Sequence, residues 1–134
     1  MTAIHIIEDD PLQADMLVDR LVARFPFLRT FVSPSLAHFA AHAGGYDVLI
    51  SDLSLPDSSP ADTAEFLLGL PRNSIVVCFS SDQPVGEDLA RASGNRIQYF
   101  NKAKGTSGVL YFVESVLKRD KDAVSKKSQQ PHGH

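Results

Sequence analysis

The chain has 134 residues, of which 43% are hydrophobic and 22% are charged, and its formal net charge is −3 at pH 7. These values are typical of a globular protein of one domain, and they give no reason to expect binding to nucleic acid or to a membrane surface. No apolar run approaches the roughly 20 residues of a membrane span, and the N-terminus has no signal-peptide pattern. The single cysteine, Cys78, excludes an internal disulfide, so we expect a cytoplasmic domain.

The first half of the chain predicts three strands separated by two helices. Compact apolar runs indicate strands, and apolar residues that recur every three or four positions indicate helices. Asp10 and Ser33 suit the N-cap positions of the two helices, since each precedes a proline that favours the first helical turn. The predicted order is strand 3–7, helix 11–25, strand 28–32, helix 34–43 and strand 46–52.

The second half continues the alternation after a loop, 53–60, that is rich in proline and serine. The predicted elements that follow are helix 61–70, strand 74–81, helix 85–92, strand 97–103 and helix 107–119. Residues 120–134 have almost no apolar content, which predicts a disordered tail or the start of a linker. The alternation predicts an α/β fold, with a parallel sheet between two layers of helices.

Polar residues at the ends of the predicted strands indicate a common site. Glu8 and Asp9 follow the first strand, and Asp52 ends the third strand. Ser80 lies at the end of the fourth strand and Lys102 at the end of the fifth. In an open parallel sheet, ligands bind outside the carboxyl ends of the strands, where the winding direction changes. We therefore expect these side chains to converge at one edge of the sheet.

Four short motifs give the chain a resemblance to a known family. They are the acid pair ED of IIEDDP, the loop DLSLP, the serine of CFSS and the segment YFNK. In this order, and at strand ends, they resemble the receiver domain of two-component response regulators over residues 1–119. The resemblance implies the doubly wound, flavodoxin-like fold of chemotaxis regulators, with strand order 2-1-3-4-5. It leaves residues 120–134 outside the domain.

The resemblance implies that Asp52 is the phosphoacceptor and that a sensor histidine kinase or a phosphotransfer protein supplies the phosphoryl group. An aspartate carboxylate is ionised at neutral pH, so it can attack phosphorus without a general base. The resemblance also implies Mg²⁺ held by Asp9, Asp52 and the backbone carbonyl of Ser54, with Glu8 acting through water. Hard oxygen donors of this kind suit Mg²⁺. The alternative for Glu8 and Asp9 is an acidic helix N-terminus, which the helix dipole favours.

Lys102 and Ser80 are expected to assist the transfer by bringing a positive charge and a hydroxyl donor to the phosphoryl oxygens. Ser81 competes with Ser80 for this role, because a slip of one residue exchanges them. The resemblance further implies a switch in which phosphorylation draws Ser80 inward and Tyr99 fills the space. Such a domain catalyses only its own phosphorylation and dephosphorylation, and it signals to a downstream protein rather than acting as an ordinary enzyme.

Two departures from the family pattern leave a second function open. Ala103 stands where receivers commonly have proline after the lysine, so we expect a trans bond between Lys102 and Ala103. Pro60 stands where a glycine is frequent, and it stiffens the loop after the third strand. The alternative function is a degenerate receiver, a protein-interaction module that works without phosphorylation.

Other notable residues have structural explanations. His5 is expected to be a packed imidazole with a hydrogen-bond partner, and Cys78 a small core side chain. His38 and His42 have the spacing of two zinc ligands on a helix, but no third ligand is near in the sequence. We therefore expect these two histidines to form a solvated helix flank.

The last predicted helix carries more apolar residues than one buried stripe needs. The surplus residues are Leu110, Tyr111 and Leu117. They predict either a surface for a downstream partner or a homodimer, or a broad core stripe with one exposed aromatic side chain. The sequence favours neither alternative.

Overall fold

The computed structural model describes the backbone of residues 2–129 and the side chains of residues 2–119. Strands and helices alternate along this part of the chain. Their bounds are β1 Ala3–Ile7, α1 Pro11–Arg24, β2 Arg29–Ser33, α2 Leu36–His42, β3 Val48–Ser51, α3 Pro60–Leu68, β4 Ile75–Ser80, α4 Gln83–Ala92, β5 Gln98–Asn101 and α5 Ser107–Gln129. A 3₁₀ turn, Lys102–Lys104, connects β5 to α5.

The five strands form one parallel sheet in the order β2-β1-β3-β4-β5. The doubly wound α/β fold is therefore confirmed, including the strand order that the resemblance implied. Every residue of β1 and β3 is buried, as expected for central strands that are covered on both faces. The register of these two strands pairs Ile7 with Ser51, so Glu8 and Asp52 leave the sheet side by side.

A hydrophobic core lies on each face of the sheet. On one face, Leu21 of α1 and Val113 of α5 pack against Ile50 of β3 and its neighbours. On the other face, Leu49 of the same strand packs with side chains from α2, α3 and α4, among them Leu67. Successive strand residues point to opposite faces, so a short apolar strand serves both cores at once. The two cores fix the positions of the strand ends, where the polar residues lie.

The predicted N-cap of α2 was wrong. Ser33 is the last residue of β2, and Ser35 caps α2 by accepting a hydrogen bond from the backbone N–H of His38 at 3.1 Å. Ser33 is fully buried, and its hydroxyl oxygen lies 2.7 Å from Nε2 of His5 and 2.8 Å from Nδ1 of His38. The Ser33 hydroxyl therefore bonds the two histidine rings, whereas the local sequence had predicted that it would cap α2.

Several predicted ends differ from the structure, and two of these differences concern the site and the domain boundary. β5 ends at Asn101, so Lys102 begins the 3₁₀ turn instead of lying inside the strand. α5 continues to Gln129, beyond the predicted end at Arg119. The domain boundary at residue 119 stays a prediction, and residues 130–134 of the predicted tail lie outside the described residues. Within residues 2–129, no helix is both long enough and apolar enough to cross a lipid bilayer.

Candidate functional site

Three carboxylates from two neighbouring strands meet at the carboxyl edge of the sheet. One oxygen each from Glu8, Asp9 and Asp52 lies within 4.8 Å of the others. The backbone N–H of Asp52 donates to the carbonyl of Ile7 at 2.9 Å, and that of Glu8 donates to the carbonyl of Ser33 at 2.9 Å. Glu8 and Asp52 are only 7% and 8% exposed, whereas Asp9 is open to solvent. The structure thus brings the predicted acids together, and their role as metal ligands stays a prediction.

The ammonium group of Lys102 lies between the two buried carboxylates. Its Nζ donates to Oδ2 of Asp52 at 2.8 Å and to Oε1 of Glu8. A third acceptor is Oε1 of Gln13, at 2.5 Å. Burial lowers the pKa of Lys102, but its hydrogen bonds with Asp52 and Glu8 outweigh burial and leave the pKa above its usual value. Lys102 is therefore a fixed positive charge at neutral pH.

Glu8 is the acid whose ionisation the site disfavours. Burial is the main cause that raises its pKa, and the nearby charge of Asp52 adds to the effect. The hydrogen bond from Lys102 opposes both, and the backbone N–H of Asp10 donates to Oε2 of Glu8 at 3.3 Å. An additional cation beside Glu8 and Asp52 would favour the ionised form of Glu8.

The backbone of the following loop orients the Asp52 carboxylate. Its Oδ1 accepts hydrogen bonds from the N–H groups of Leu53, at 2.6 Å, and Ser54, at 3.2 Å. Its Oδ2 faces Lys102. The carboxylate is therefore held from both sides and cannot rotate freely. Ser54 acts here through its N–H, and the metal-binding role predicted for its carbonyl stays a prediction.

The loop after β3 is tied to the helices on either side of it. Asp57 accepts hydrogen bonds from the N–H of Ala37 at 2.9 Å and from that of Leu36 at 3.2 Å. The bond from Ala37 is the main cause that holds the pKa of Asp57 below its usual value. Pro60 is the first residue of α3, and Ser59 is the N-cap. Proline needs no N–H partner at that position, so Pro60 starts the helix at little cost.

Ser80 and Tyr99, the predicted switch residues, are in direct contact. Ser80 is buried, and its hydroxyl accepts a hydrogen bond from the N–H of Asp82 at 3.2 Å. Its carbonyl accepts a hydrogen bond from the Tyr99 hydroxyl, also at 3.2 Å. The Tyr99 ring packs on Gly86 of α4, where an added Cβ would lie only 2.4 Å from ring carbons. Burial is the main cause that raises the pKa of Tyr99.

The segment around Lys102 is a short turn that lies beside the site. The bond between Lys102 and Ala103 is trans, as predicted, since no cis peptide bond occurs among the described residues. The Asn101 side chain accepts a hydrogen bond from the Ala103 N–H at 2.9 Å and so starts the 3₁₀ turn. Ser81 is exposed, and it lines a cavity of about 380 Å³ together with Lys102 and Gln13. The assignment of the catalytic hydroxyl to Ser80 and not Ser81 stays a prediction.

The structural explanations of His5 and Cys78 are confirmed. His5 is 4% exposed, and its Nε2 lies 2.7 Å from the Ser33 hydroxyl. Cys78 is fully buried, and burial raises the pKa of its thiol to about 12. His38 and His42 stack with ring centroids 4.1 Å apart, and within residues 2–119 neither belongs to a group of three possible metal ligands. His42 is exposed as expected, but His38 is partly buried because it reaches Ser33.

In α5 the structure favours the broad core stripe over an apolar surface patch. Leu110 and Leu117 are partly buried and pack against the core, whereas Tyr111 is 72% exposed. The helix therefore presents one exposed aromatic side chain within its described part.

Sequence reasoning missed two residues of this region, Gln13 and Gly86. Gln13 follows the N-cap Asp10 by three positions, which is the spacing of a capping box. That signal marks the start of a helix, but it does not reveal the contact with Lys102. No local pattern marks Gly86. A glycine is required at this position because the ring of Tyr99, on β5, packs against it.

Comparison with solved structures identifies the fold. The signal receiver domain of the DNA-binding response regulator merR from Colwellia psychrerythraea has a TM-score of 0.72 and 22% identity, and the match covers 88% of this chain and 99% of that one. Response regulator TrrA from Thermotoga maritima, solved in complex with Mg²⁺-BeF, has a TM-score of 0.70 and 16% identity over 86% of this chain and 98% of that one. The structure of adenylate cyclase from Rhodopirellula baltica has a TM-score of 0.70 and 15% identity over 96% of each chain.

Neither a protein-family model nor a curated protein matches the chain. The chain has the fold of response regulator receiver domains, and the resemblance that its motifs indicated is confirmed at the level of the fold.

Proposed function

We propose that the chain is a phosphoacceptor signalling domain of a two-component system, in which Asp52 receives a phosphoryl group from a sensor histidine kinase or a phosphotransfer protein. One observation carries the proposal. The buried carboxylate of Asp52 lies within 4.8 Å of Glu8 and Asp9 and accepts a hydrogen bond from Lys102 at 2.8 Å. One fold can support many functions, so these four side chains at the edge of the sheet, and not the fold, indicate the function.

The donor set fits Mg²⁺. Three carboxylates offer hard oxygen ligands, and the exposed position of Asp9 leaves space for the water molecules that Mg²⁺ retains. The proposed direct ligands are Asp9, Asp52 and the carbonyl of Ser54, and Glu8 would act through a water molecule. The bound ion would neutralise the charge of phosphoryl oxygens that must approach these acids. The complex of TrrA with Mg²⁺-BeF supports the choice of ion.

The proposed transfer needs no general base, because the Asp52 carboxylate attacks phosphorus as an anion. A bond forms between a carboxylate oxygen and phosphorus, the bond from phosphorus to the donor histidine breaks, and its electron pair leaves with the imidazole. Leu53 and Ser54 hold the carboxylate in one orientation through their N–H groups. Lys102 places its positive charge beside the phosphoryl oxygens, and Ser80 supplies a hydroxyl donor. Water later hydrolyses the aspartyl phosphate at the same site.

Ser80 connects the proposed transfer to a change of the surface. If its hydroxyl turns toward the phosphoryl group, it leaves the N–H of Asp82 at the start of α4. The carbonyl of Ser80 also holds the Tyr99 hydroxyl, so movement of the strand end alters Tyr99 as well. We propose that a cytoplasmic downstream protein reads this change.

The experiment is incubation with acetyl phosphate and Mg²⁺, followed by intact-protein mass spectrometry. We expect one phosphoryl group on the wild type and none on Asp52→Asn. Asp57→Asn is the matched control, because Asp57 lies in the same loop and asparagine also caps helices. A phosphoryl adduct that survives in Asp52→Asn refutes the assignment of the phosphoacceptor.

The degenerate receiver remains the second candidate, favoured by the departures at Ala103 and Pro60. A beryllofluoride titration with and without Mg²⁺ separates the two functions. A switching receiver changes the NMR signals of Tyr99 only when Mg²⁺ is present. A protein-interaction module leaves those signals unchanged under both conditions.

A further inference from the structure

Asp10 caps α1 in the usual way, but the start of the helix lacks the second hydrogen bond of a capping box. Gln13 is the third residue of the helix after the N-cap Asp10, and a glutamine at this position commonly bonds the backbone N–H of the cap. Here the backbone N–H of Asp10 donates instead to Oε2 of Glu8, at 3.3 Å. The Gln13 amide is left to donate from Nε2 to the Asp10 carboxylate at 3.2 Å and to accept from Lys102 at Oε1, at 2.5 Å.

We infer that Gln13 is a positioning residue for Lys102, an inference that rests on the proposed phosphoryl transfer. Two of the three acceptors around the Lys102 ammonium are the carboxylates of Glu8 and Asp52, which also belong to the proposed metal site. A divalent cation competes with the ammonium for those oxygens, because both are positive charges close to the same acids. Gln13 supplies the neutral acceptor, outside the proposed ligand set, that holds Lys102 at the edge beside Asp52.

The Gln13 side chain is exposed to solvent, but hydrogen bonds at both atoms of its amide limit its movement. Its amide nitrogen bonds a carboxylate of Asp10 that is already fixed, since Oδ1 of Asp10 accepts the N–H of Leu12 at 3.0 Å. Pro11 occupies the first position of the helix and stiffens the same turn. The lysine side chain is long and flexible, so ordering it in the transition state costs conformational entropy. An acceptor that already holds the ammonium before the reaction lowers this cost.

The test compares the wild type with Gln13→Met, which keeps the length and helix propensity of the side chain but lacks the amide. Gln98→Met is the matched control at the opposite end of β5, where the amide donates to the carbonyl of Asn95 at 2.8 Å. The measurements are the maximal rate of phosphorylation by acetyl phosphate and the half-saturating Mg²⁺ concentration. We expect Gln13→Met to lower the maximal rate about tenfold, the effect of one hydrogen bond to a charged group, while the half-saturating concentration is unchanged. Gln98→Met should match the wild type.

A second measurement does not depend on phosphorylation. Three acceptors hold the Lys102 ammonium and should slow the exchange of its protons with water, so we expect an NMR signal from these protons in the protein without Mg²⁺. Gln13→Met should lose or broaden this signal, and Gln98→Met should keep it.

Equal phosphorylation rates in the wild type and Gln13→Met overturn the inference, as does an unchanged Lys102 signal. A loss of Mg²⁺ affinity in proportion to the rate also overturns it, because Gln13 would then act on the metal site. If the wild type accepts no phosphoryl group, the proposed function fails, and the Lys102 signal still decides whether Gln13 holds the ammonium.

Discussion

Replacing Gly86 by alanine tests how Tyr99 is held against α4. Gly86 is buried on α4, and an added Cβ would lie 2.4 Å from Cδ1 and Cε1 of Tyr99 and 2.8 Å from Cγ. These atoms belong to the rigid ring, so the ring must move as a whole. That movement also breaks the hydrogen bond from the Tyr99 hydroxyl to the carbonyl of Ser80, now 3.2 Å long.

Opposing effects set the size of the change in the free energy of unfolding. Overpacking costs about 1–3 kcal/mol, and loss of one hydrogen bond costs about 1 kcal/mol. Alanine gains about 1 kcal/mol over glycine inside a helix. We therefore expect Gly86→Ala to lower the free energy of unfolding by about 2 kcal/mol. In a Tyr99→Ala background the ring is absent, and the same change should raise the free energy of unfolding by about 1 kcal/mol.

The wild type, Gly86→Ala, Tyr99→Ala and the double variant form a double-mutant cycle. Urea unfolding of these four proteins, followed by circular dichroism, measures the effect of Gly86→Ala on the free energy of unfolding with and without the Tyr99 ring. Gly69→Ala is the control, because Gly69 has a φ of −78° and an added Cβ lies no closer than 3.5 Å to its neighbours. It should change the stability little. If Gly86→Ala stabilises both backgrounds equally, the Tyr99 ring does not pack on Gly86, and the reasoning about the switch is wrong.

Two further predictions concern the core. Burial, with a contribution from the charge of His38, lowers the pKa of His5, so the unfolded chain takes up a proton that the folded protein resists. The contribution of His5 to stability is present above about pH 6.5 and is lost as the pH falls toward the lowered pKa of the folded state. His5→Phe should therefore reduce the pH dependence of the free energy of unfolding in this range, and an identical slope in both proteins would contradict the prediction. Cys78, with a thiol pKa of about 12 and no exposed surface, should resist alkylation in the folded protein and react in denaturant, whereas fast labelling of the native state would show that the core opens readily.

The sequence by itself determined the alternation of elements and the polar residues at the strand ends. These signals are local, because a strand covered on both faces must be apolar and the chain becomes polar where it leaves the sheet. The run 3–7 followed by Glu8 is one example, and Asp10 before Pro11 as the start of α1 is another. The strand order came from the family resemblance, because the residues of an apolar strand do not indicate which strands pair with it.

Only the tertiary structure decided which partner each polar side chain takes. Ser33 precedes a proline and suits a helix cap, yet it bonds His5, 28 positions away in the sequence. Gln13 suits a capping box, yet it accepts from Lys102, 89 positions away. A cap and a tertiary hydrogen bond are each worth only about 1 kcal/mol, so local pattern cannot rank them. The packing of the helices on the sheet sets which donors and acceptors come within reach, and that packing depends on the whole chain.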